Sequence, residues 1–313
     1  MKGKDLLSIA DLSSEDINRL LSDTLDMKAS GWLSALSGKS LALLFEKPSL
    51  RTRVSFEVAM RQLGGQAIYL SQAEVGPGQR ESIADIARVL SRYVGVIAAR
   101  TFSHHTLELL AGAASVPVIN ALSDREHPCQ ALTDLFTIYE KKGELKGQTI
   151  AFIGDGNNVA NSLLLASALS GVNFRIASPK GYRMQDDVLR LARGYAMDSG
   201  AEIICTEEPE TAVSGADVVY ADVWVSMGQE NEGRKRRRAF SGYQINSELL
   251  SRASKDVILM HPLPAHRGEE VTDDILDSPA SVVLDQAENR MHLAKALLTE
   301  MLGGLEIPLA GYR

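Results

Sequence analysis

Leu41-Ala42-Leu43-Leu44-Phe45-Glu46-Lys47-Pro48-Ser49-Leu50-Arg51-Thr52-Arg53-Val54-Ser55-Phe56-Glu57 is the stretch that decides the fold. Leu41 to Phe45 is an apolar run of the length and bulk of a buried strand. Pro48 and Ser49 mark a turn. Phe56, Met60 and Leu63 then fall on one helical face, which Gly64 closes. Ser49, Arg51, Thr52 and Arg53 therefore sit where a strand ends and a helix begins. That junction offers unpaired backbone N–H groups and the positive end of the helix dipole. Hydroxyls and guanidinium groups added there make a site for a phosphate or a similar dianion. The bland alternative is a capped helix with surface arginines. Ser49 alone fits that alternative. Two arginines around a threonine fit it poorly, because cations oppose the dipole at this end.

The same alternation runs almost to the end of the chain. Strand candidates are Leu41–Phe45, Ala67–Leu70, Gly95–Ala99 and Pro117–Asn120 in the first half. Thr149–Ile153, Asn173–Ala177, Glu202–Cys205, Val218–Tyr220, Val257–Met260 and Val282–Leu284 follow. Strands alternating with helical patterns predict α/β domains with parallel sheets. A chain of 313 residues is long enough for two of them. The helix containing Leu132, Leu135 and Ile138 ends near Lys141-Lys142-Gly143, a natural boundary. A last helix is expected over about 286–302.

Hydrophobic residues make up 45% and charged residues 23%, which is ordinary for a globular protein. The net charge of −7 argues against nonspecific attraction to nucleic acid or an anionic membrane. No apolar run approaches the length of a membrane-spanning helix. Asp5 and Asp11 interrupt any signal-peptide pattern. Cys129 and Cys205, the two cysteines, lack metal-type spacing. A reduced, cytoplasmic setting is expected.

Several other strand ends carry chemistry. In open α/β sheets ligands bind beyond the carboxyl ends of the strands. Arg100-Thr101 lies there, where an arginine can stabilise a developing oxyanion; its bland alternative is a surface ion pair. His127-Pro128-Cys129-Gln130 lies at another such mouth, with Pro128 suited to a first helical turn. A neutral imidazole N–H there can polarise a carbonyl. Gly154-Asp155-Gly156-Asn157-Asn158 raises a dinucleotide site. Val159 stands where the third glycine of that fingerprint belongs, and the next strand ends in Ala177-Ser178 without the ribose-binding acid. Asp222-Val223-Trp224-Val225-Ser226-Met227-Gly228-Gln229-Glu230 is, taken alone, a loop with a carboxylate and a glycine. The basic run from Arg234 to Arg238 behind it reads as a solvated helix face. His261-Pro262-Leu263-Pro264 offers the backbone carbonyls of Pro262 and Leu263 as acceptors.

Together these motifs resemble, in order and spacing along essentially the whole chain, the aspartate/ornithine carbamoyltransferase family. The first stretch is similar to that family's Ser-Thr-Arg-Thr-Arg signature, with Leu50 in place of a threonine. The resemblance implies an α/β fold of two doubly wound parallel-sheet domains, with the active site in the cleft between them. It implies a carbamoyl-phosphate-binding domain over 1–141, an amino-acid-binding domain over 142–287, and a C-terminal helix over 288–313 returning to the first domain. Ser49, Leu50 through its N–H, Arg51, Thr52, Arg100, His127, Gln130, Pro262, Leu263 and Arg290 are implied for carbamoyl phosphate. Thr52, Arg100 and His127 are the implied catalytic residues. Asn158, Asp222, Ser226, Met227 and Leu263 are implied for ornithine. Family members need no metal or cofactor, and assemble as homotrimers or multiples of trimers.

The Asp222–Glu230 stretch is similar to the ornithine branch. His261-Pro262-Leu263-Pro264 has the aspartate-branch form, because the ornithine branch usually has cysteine where this chain has Pro262. Gly76 stands where relatives use a glutamine or histidine; Gln79 and Arg80 are the nearby substitutes. The reaction implied is carbamoyl transfer from carbamoyl phosphate to L-ornithine. The alternatives are transfer to aspartate, a nucleotide-dependent oxidoreductase, and a non-catalytic binding protein on this fold.

Overall fold

The computed structural model describes residues 1–78, 80–226 and 228–303. The strands are β1 (Ser40–Phe45), β2 (Gln66–Ser71), β3 (Val96–Arg100), β4 (Val118–Leu122), β5 (Thr149–Ile153), β6 (Asn173–Ala177), β7 (Ile203–Thr206), β8 (Val218–Ala221) and β9 (Ile258–Met260). The helices are α1 (Ser14–Ser30), α2 (Leu50–Gln62), α3 (Gln72–Val75), α4 (Ile83–Leu90), α5 (His104–Ala113), α6 (Pro128–Lys142) and α7 (Asn158–Ser170). They continue as α8 (Asp186–Ser199), α9 (Pro209–Val213), α10 (Gly233–Ala239), α11 (Ser247–Leu250), α12 (Asp273–Leu276) and α13 (Val283–Leu302).

Every strand pair is parallel. One sheet has the order β2-β1-β3-β4, the other β7-β6-β5-β8-β9. Strands of a parallel sheet are covered on both faces and so read as continuous apolar runs. Leu41 to Phe45, Val96 to Ala99 and Ile150 to Ile153 are all buried. Burial of each such Leu, Ile or Val is worth about 1.5–3 kcal/mol. Phe152 stacks on Tyr220 with ring centroids 5.3 Å apart, tying β5 to β8.

The helices end where the sequence says they should. Gly143, Gly171 and Gly200 close α6, α7 and α8 in the left-handed conformation, with φ of 82°, 71° and 84°. That conformation is costly for residues with a Cβ. The expected strand Val282–Leu284 is not one. Ser281 makes a single bridge to Leu259, and α13 begins at Val283. Gln286 N–H already donates to the Val282 carbonyl at 2.8 Å, so the backbone turns helical after one sheet contact. A three-residue apolar run cannot distinguish the two outcomes.

The chain divides into two compact units. Among the described residues, one comprises Met1–Leu7, Ser22–Ser123 and the chain from Met291; the other comprises Ser8–Leu21 and Asp124–Arg290. Helices α1 and α13 contribute residues to both, and α6 groups with the second. Among the described residues no helix is long and apolar enough to cross a membrane.

Candidate active site

Strand order reverses direction at β1/β3 in the first unit and at β5/β8 in the second. Crevices open at the carboxyl ends of such strands, and ligands bind there. The sequence-derived candidates occupy both places.

In the first unit, Ser49 caps α2 and its hydroxyl accepts from the Thr52 N–H at 3.3 Å. Thr52 is fully buried, whereas the Leu50 side chain is 73% exposed. Leu50 can therefore offer a ligand little but its backbone. The first turn of α2 carries no acidic residue. The two arginines separate clearly. Arg53 donates to Glu57 at 2.9 Å and lies over the Tyr69 ring at 3.8 Å, so the fold itself accounts for it. Arg51 has no carboxylate partner among the described residues, and partial burial pulls its guanidinium below its ordinary value. A half-buried cation at the positive end of a helix is unfavourable without an anion. Arg100 ends β3 beside Phe45, its partner in register, and the Arg100 carbonyl accepts from the Glu46 N–H at 2.8 Å. A register shift between Ala99 and Arg100 redirects the strand end. The Ser49–Thr52 turn and Arg100 are thus neighbours at the β1/β3 switch point.

A cavity of about 520 Å³ flanks this turn, lined by Glu46, Pro48, Tyr69, Gln72, Gly76 and Arg80 among others. Gly76 is left-handed at φ 57° and closes α3, which explains a glycine there. Arg80 donates to the Glu74 carbonyl at 3.1 Å. Gln79 lies outside the described residues.

In the second unit, His127 precedes Pro128 at the start of α6, and both are buried. The His127 N–H donates to the Ser162 hydroxyl at 2.9 Å, which donates to Glu126 at 2.9 Å. Gln130, one turn on, is also buried. Its Nε2 donates to Asp134 at 2.8 Å, while its Oε1 has no hydrogen-bond partner among the described residues. Burial pushes the Cys129 thiol up to about 12, which makes it inert as a nucleophile. Cys205 is exposed, and its thiol is also raised, chiefly by desolvation.

Gly156 owes its identity to packing. A Cβ there would lie 2.5 Å from the Met184 nitrogen, so the protein's own backbone fills the place that a dinucleotide site would leave open. Asn157 caps α7, its Oδ1 accepting from the Val159 and Ala160 N–H groups at 3.0 and 3.1 Å. Its Nδ2 donates to Asp222 at 2.7 Å across the β5/β8 switch point. The sequence pointed to Asn158, which opens α7 and is half-buried. The structural role of Asn157 was missed, although an asparagine before an apolar helical run is a cap signal.

Asp222 is buried beyond the end of β8, and its second oxygen accepts from the Val223 N–H at 2.8 Å. Desolvation raises its carboxyl, opposed by His261 and the bond from Asn157. Ser226 follows, its N–H donating to Gln229 at 3.1 Å. Met227 lies outside the described residues. The basic run behind this loop is not uniformly solvated, which corrects the expectation. Arg236 is only 4% exposed. It donates to the Trp224 carbonyl at 2.6 Å and pairs with Asp155. Arg237 is exposed and bonded to Glu269 at 2.9 Å.

After β9, the His261 N–H donates to Gln286 at 2.9 Å and its Nε2 lies 3.1 Å from the buried Glu270. Its Nδ1 accepts from the Leu263 N–H at 2.9 Å. Leu263 has φ 55°, rare for a residue with a Cβ, and Pro262 and Leu263 are half-buried. Such local strain concentrates at functional sites. His266, Glu269 and Glu270 approach within 4.8 Å of one another. Glu270 is already engaged by His261 and by the His266 N–H at 2.6 Å, and Glu269 by Arg237, so the group buttresses the loop. Arg290 lies on α13 and is buried.

Comparison with known proteins agrees with this geometry. The family model described as "Aspartate/ornithine carbamoyltransferase, carbamoyl-P binding domain" matches residues 4–140, and that of the "Asp/Orn binding domain" matches residues 146–301. The ornithine carbamoyltransferase of Bacillus subtilis is 52% identical over 300 residues, covering 96% of this chain and 94% of the relative. That of Pyrococcus furiosus, named as anabolic, is 49% identical over 312 residues, covering 98% of both chains. The solved structure of ornithine carbamoyltransferase from Pyrococcus furiosus superposes with a TM-score of 0.94 at 50% identity, covering 97% of this chain and 99% of that one. Matching domain models over nearly the whole length, relatives at half identity and the arrangement of both switch points agree. The chain belongs to the aspartate/ornithine carbamoyltransferase family.

Proposed function

We propose that this protein transfers the carbamoyl group of carbamoyl phosphate to the side-chain amine of L-ornithine, giving L-citrulline and phosphate. The observation that carries the anion half of the proposal is Arg51, a half-buried guanidinium at a helix N-terminus with no carboxylate partner among the described residues. Ser49, the Leu50 N–H, Arg51, Thr52, Arg100 and Arg290 neutralise the phosphate. Thr52, Arg100 and His127 stabilise the carbonyl oxygen as charge develops on it. Gln130 Oε1 and the Pro262 and Leu263 carbonyls accept from the carbamoyl NH₂ and the incoming amine. The neutral amine attacks the carbamoyl carbon. The new C–N bond forms, the C–O bond to phosphate breaks with its electron pair leaving on phosphate, and the proton lost by the amine passes to the departing phosphate. The work is positioning and electrostatics.

Asn158, Asp222, Ser226, Met227 and Leu263 hold the amino acid, with Asp222 taking the α-ammonium. An aspartate acceptor brings a second carboxylate. In the basic run behind the loop, Arg236 is committed to Asp155 and Arg237 to Glu269. The ornithine assignment of the relatives supports the same choice. Pro262 leaves the chemistry without a thiol. Synthesis in the direction of citrulline, a homotrimer and a cytoplasmic location complete the proposal, the first in keeping with the relative named as anabolic. Phosphate release from carbamoyl phosphate should require ornithine and be unaffected by aspartate. Release stimulated by aspartate alone would overturn it.

A further inference from the structure

Gln130 can meet an incoming group with either end of its amide. An acceptor end reads an NH₂; a donor end repels it. What fixes the choice lies one turn further along α6. Asp134 is fully buried and accepts three side-chain bonds: from Gln130 Nε2 at 2.8 Å, from Gln286 Nε2 at 2.7 Å and from the Tyr220 hydroxyl at 2.9 Å. An ionised carboxylate has only acceptors, so it compels both glutamines to turn their NH₂ ends toward it. Gln130 Oε1 is thereby left buried and without a hydrogen-bond partner among the described residues. Gln286 Oε1 is turned to accept the His261 N–H at 2.9 Å, at the root of the Pro262–Leu263 turn.

We propose that Asp134 is a positioning residue that makes this site selective for an NH₂-bearing acyl phosphate, by presenting Gln130 Oε1 as an acceptor and, through Gln286, fixing the loop whose carbonyls accept from the same NH₂. The inference rests on the carbamoyl phosphate reading above. It goes further by assigning donor choice to a carboxylate that never touches the donor. A buried acid otherwise has little reason to be here: its desolvation is costly, and apolar replacements commonly serve stability as well or better.

The test compares carbamoyl phosphate with acetyl phosphate, in which a methyl group replaces the NH₂. The quantity read is the ratio of their dissociation constants by calorimetry, which needs no ornithine. Wild type should favour carbamoyl phosphate. Asp134→Asn brings its own NH₂ into the cluster, so Gln130 can turn over and present its donor end. The ratio should fall by about fivefold, the worth of a neutral hydrogen bond, with acetyl phosphate affinity little changed. A merely structural residue would weaken both ligands together. Gln130→Met should produce the same fall, and the double variant should be no worse than either single one.

The wild-type protein supplies a second measurement that needs no variant. Burial pushes the Asp134 carboxyl up to about 6, against the pull of its three donors and of Arg290. Among the described residues, Tyr220 and Arg290 are the titratable or charged groups acting on it, and neither changes charge in this range. The ratio should therefore fall between about pH 8 and about pH 5 in wild type, and stay flat in Gln130→Met. The phosphate is common to both probes, so its own titration cancels. A ratio near one in wild type, or a ratio unchanged by Asp134→Asn and flat with pH, overturns the inference. Normal discrimination without citrulline formation overturns the ornithine reading instead and leaves the role of Asp134 supported.

Discussion

Arg51→Ala separates function from structure by sign. Arg51 has no carboxylate partner among the described residues, is partly desolvated, and stands at the end of α2 where the dipole repels a cation. Its removal should therefore leave the unliganded protein as stable as before, or more stable by about 0.3–1 kcal/mol. For a chain of 313 residues that is a rise of about 0.5–1.5 °C in Tm. With ligand the sign reverses. A charge-assisted contact to phosphate is worth about 1.5–3 kcal/mol, so carbamoyl phosphate should bind about 10- to 150-fold more weakly. Differential scanning fluorimetry, with and without carbamoyl phosphate, reads both effects in one experiment. Wild type should gain Tm on adding the ligand, and Arg51→Ala should lose most of that gain from an equal or higher starting point. A variant that melts well below wild type while keeping its ligand-induced shift would refute the reasoning, because Arg51 would then be serving the fold.

Three further outcomes follow from the same structure. Asp222→Asn should raise the KM for ornithine severalfold or more, since a charge-assisted bond is about twice as strong as a neutral one, while carbamoyl phosphate affinity holds; steady-state kinetics with each substrate varied separates the two. Desolvation raises the Asp222 carboxyl, so ornithine binding in wild type should be lost on acidification earlier than for an ordinary aspartate, which a KM–pH profile reads. Replacing Cys129 and Cys205 together by serine should preserve kcat in the folded protein, because the buried thiol is held at about 12 and neither cysteine follows His261. Asp134 should also make stability pH-dependent in a specific direction: its folded value of about 6 lies above the ordinary 3.8, so its contribution favours the fold below about pH 4 and is lost as pH rises through 6. The full change is at most about 3 kcal/mol, and urea unfolding of Asp134→Asn against wild type should show the difference growing between those limits.

Most of the fold was legible because the decisive signals are local. Apolar runs such as Leu41–Phe45 and Thr149–Ile153 carry their strand identity in a few adjacent residues, and glycines such as Gly143 and Gly171 mark helix ends by a conformation other residues avoid. The turn at Ser49 to Thr52 was legible for the same reason: the residues are consecutive, and a strand-to-helix junction is a local feature. What stayed hidden depends on distant partners. Arg236 looked like one more solvated arginine, and only the fold brings Asp155 and the Trp224 carbonyl to it. Asp134 is an unremarkable acid in an amphipathic helix until Gln286 and Tyr220 arrive from other elements. Val282–Leu284 failed in the opposite way, because a single bridge at Ser281 is too short for any periodicity to show.

The most direct test of the central claim is to identify the product by mass spectrometry. Purified protein and carbamoyl phosphate are incubated with L-ornithine and with L-aspartate, separately and in equal mixture. Carbamoyl transfer to ornithine predicts citrulline from the first and from the mixture, with no N-carbamoylaspartate in any vessel. N-carbamoylaspartate as the main product of the mixture, or no carbamoylated product at all from a protein that binds carbamoyl phosphate, would contradict it.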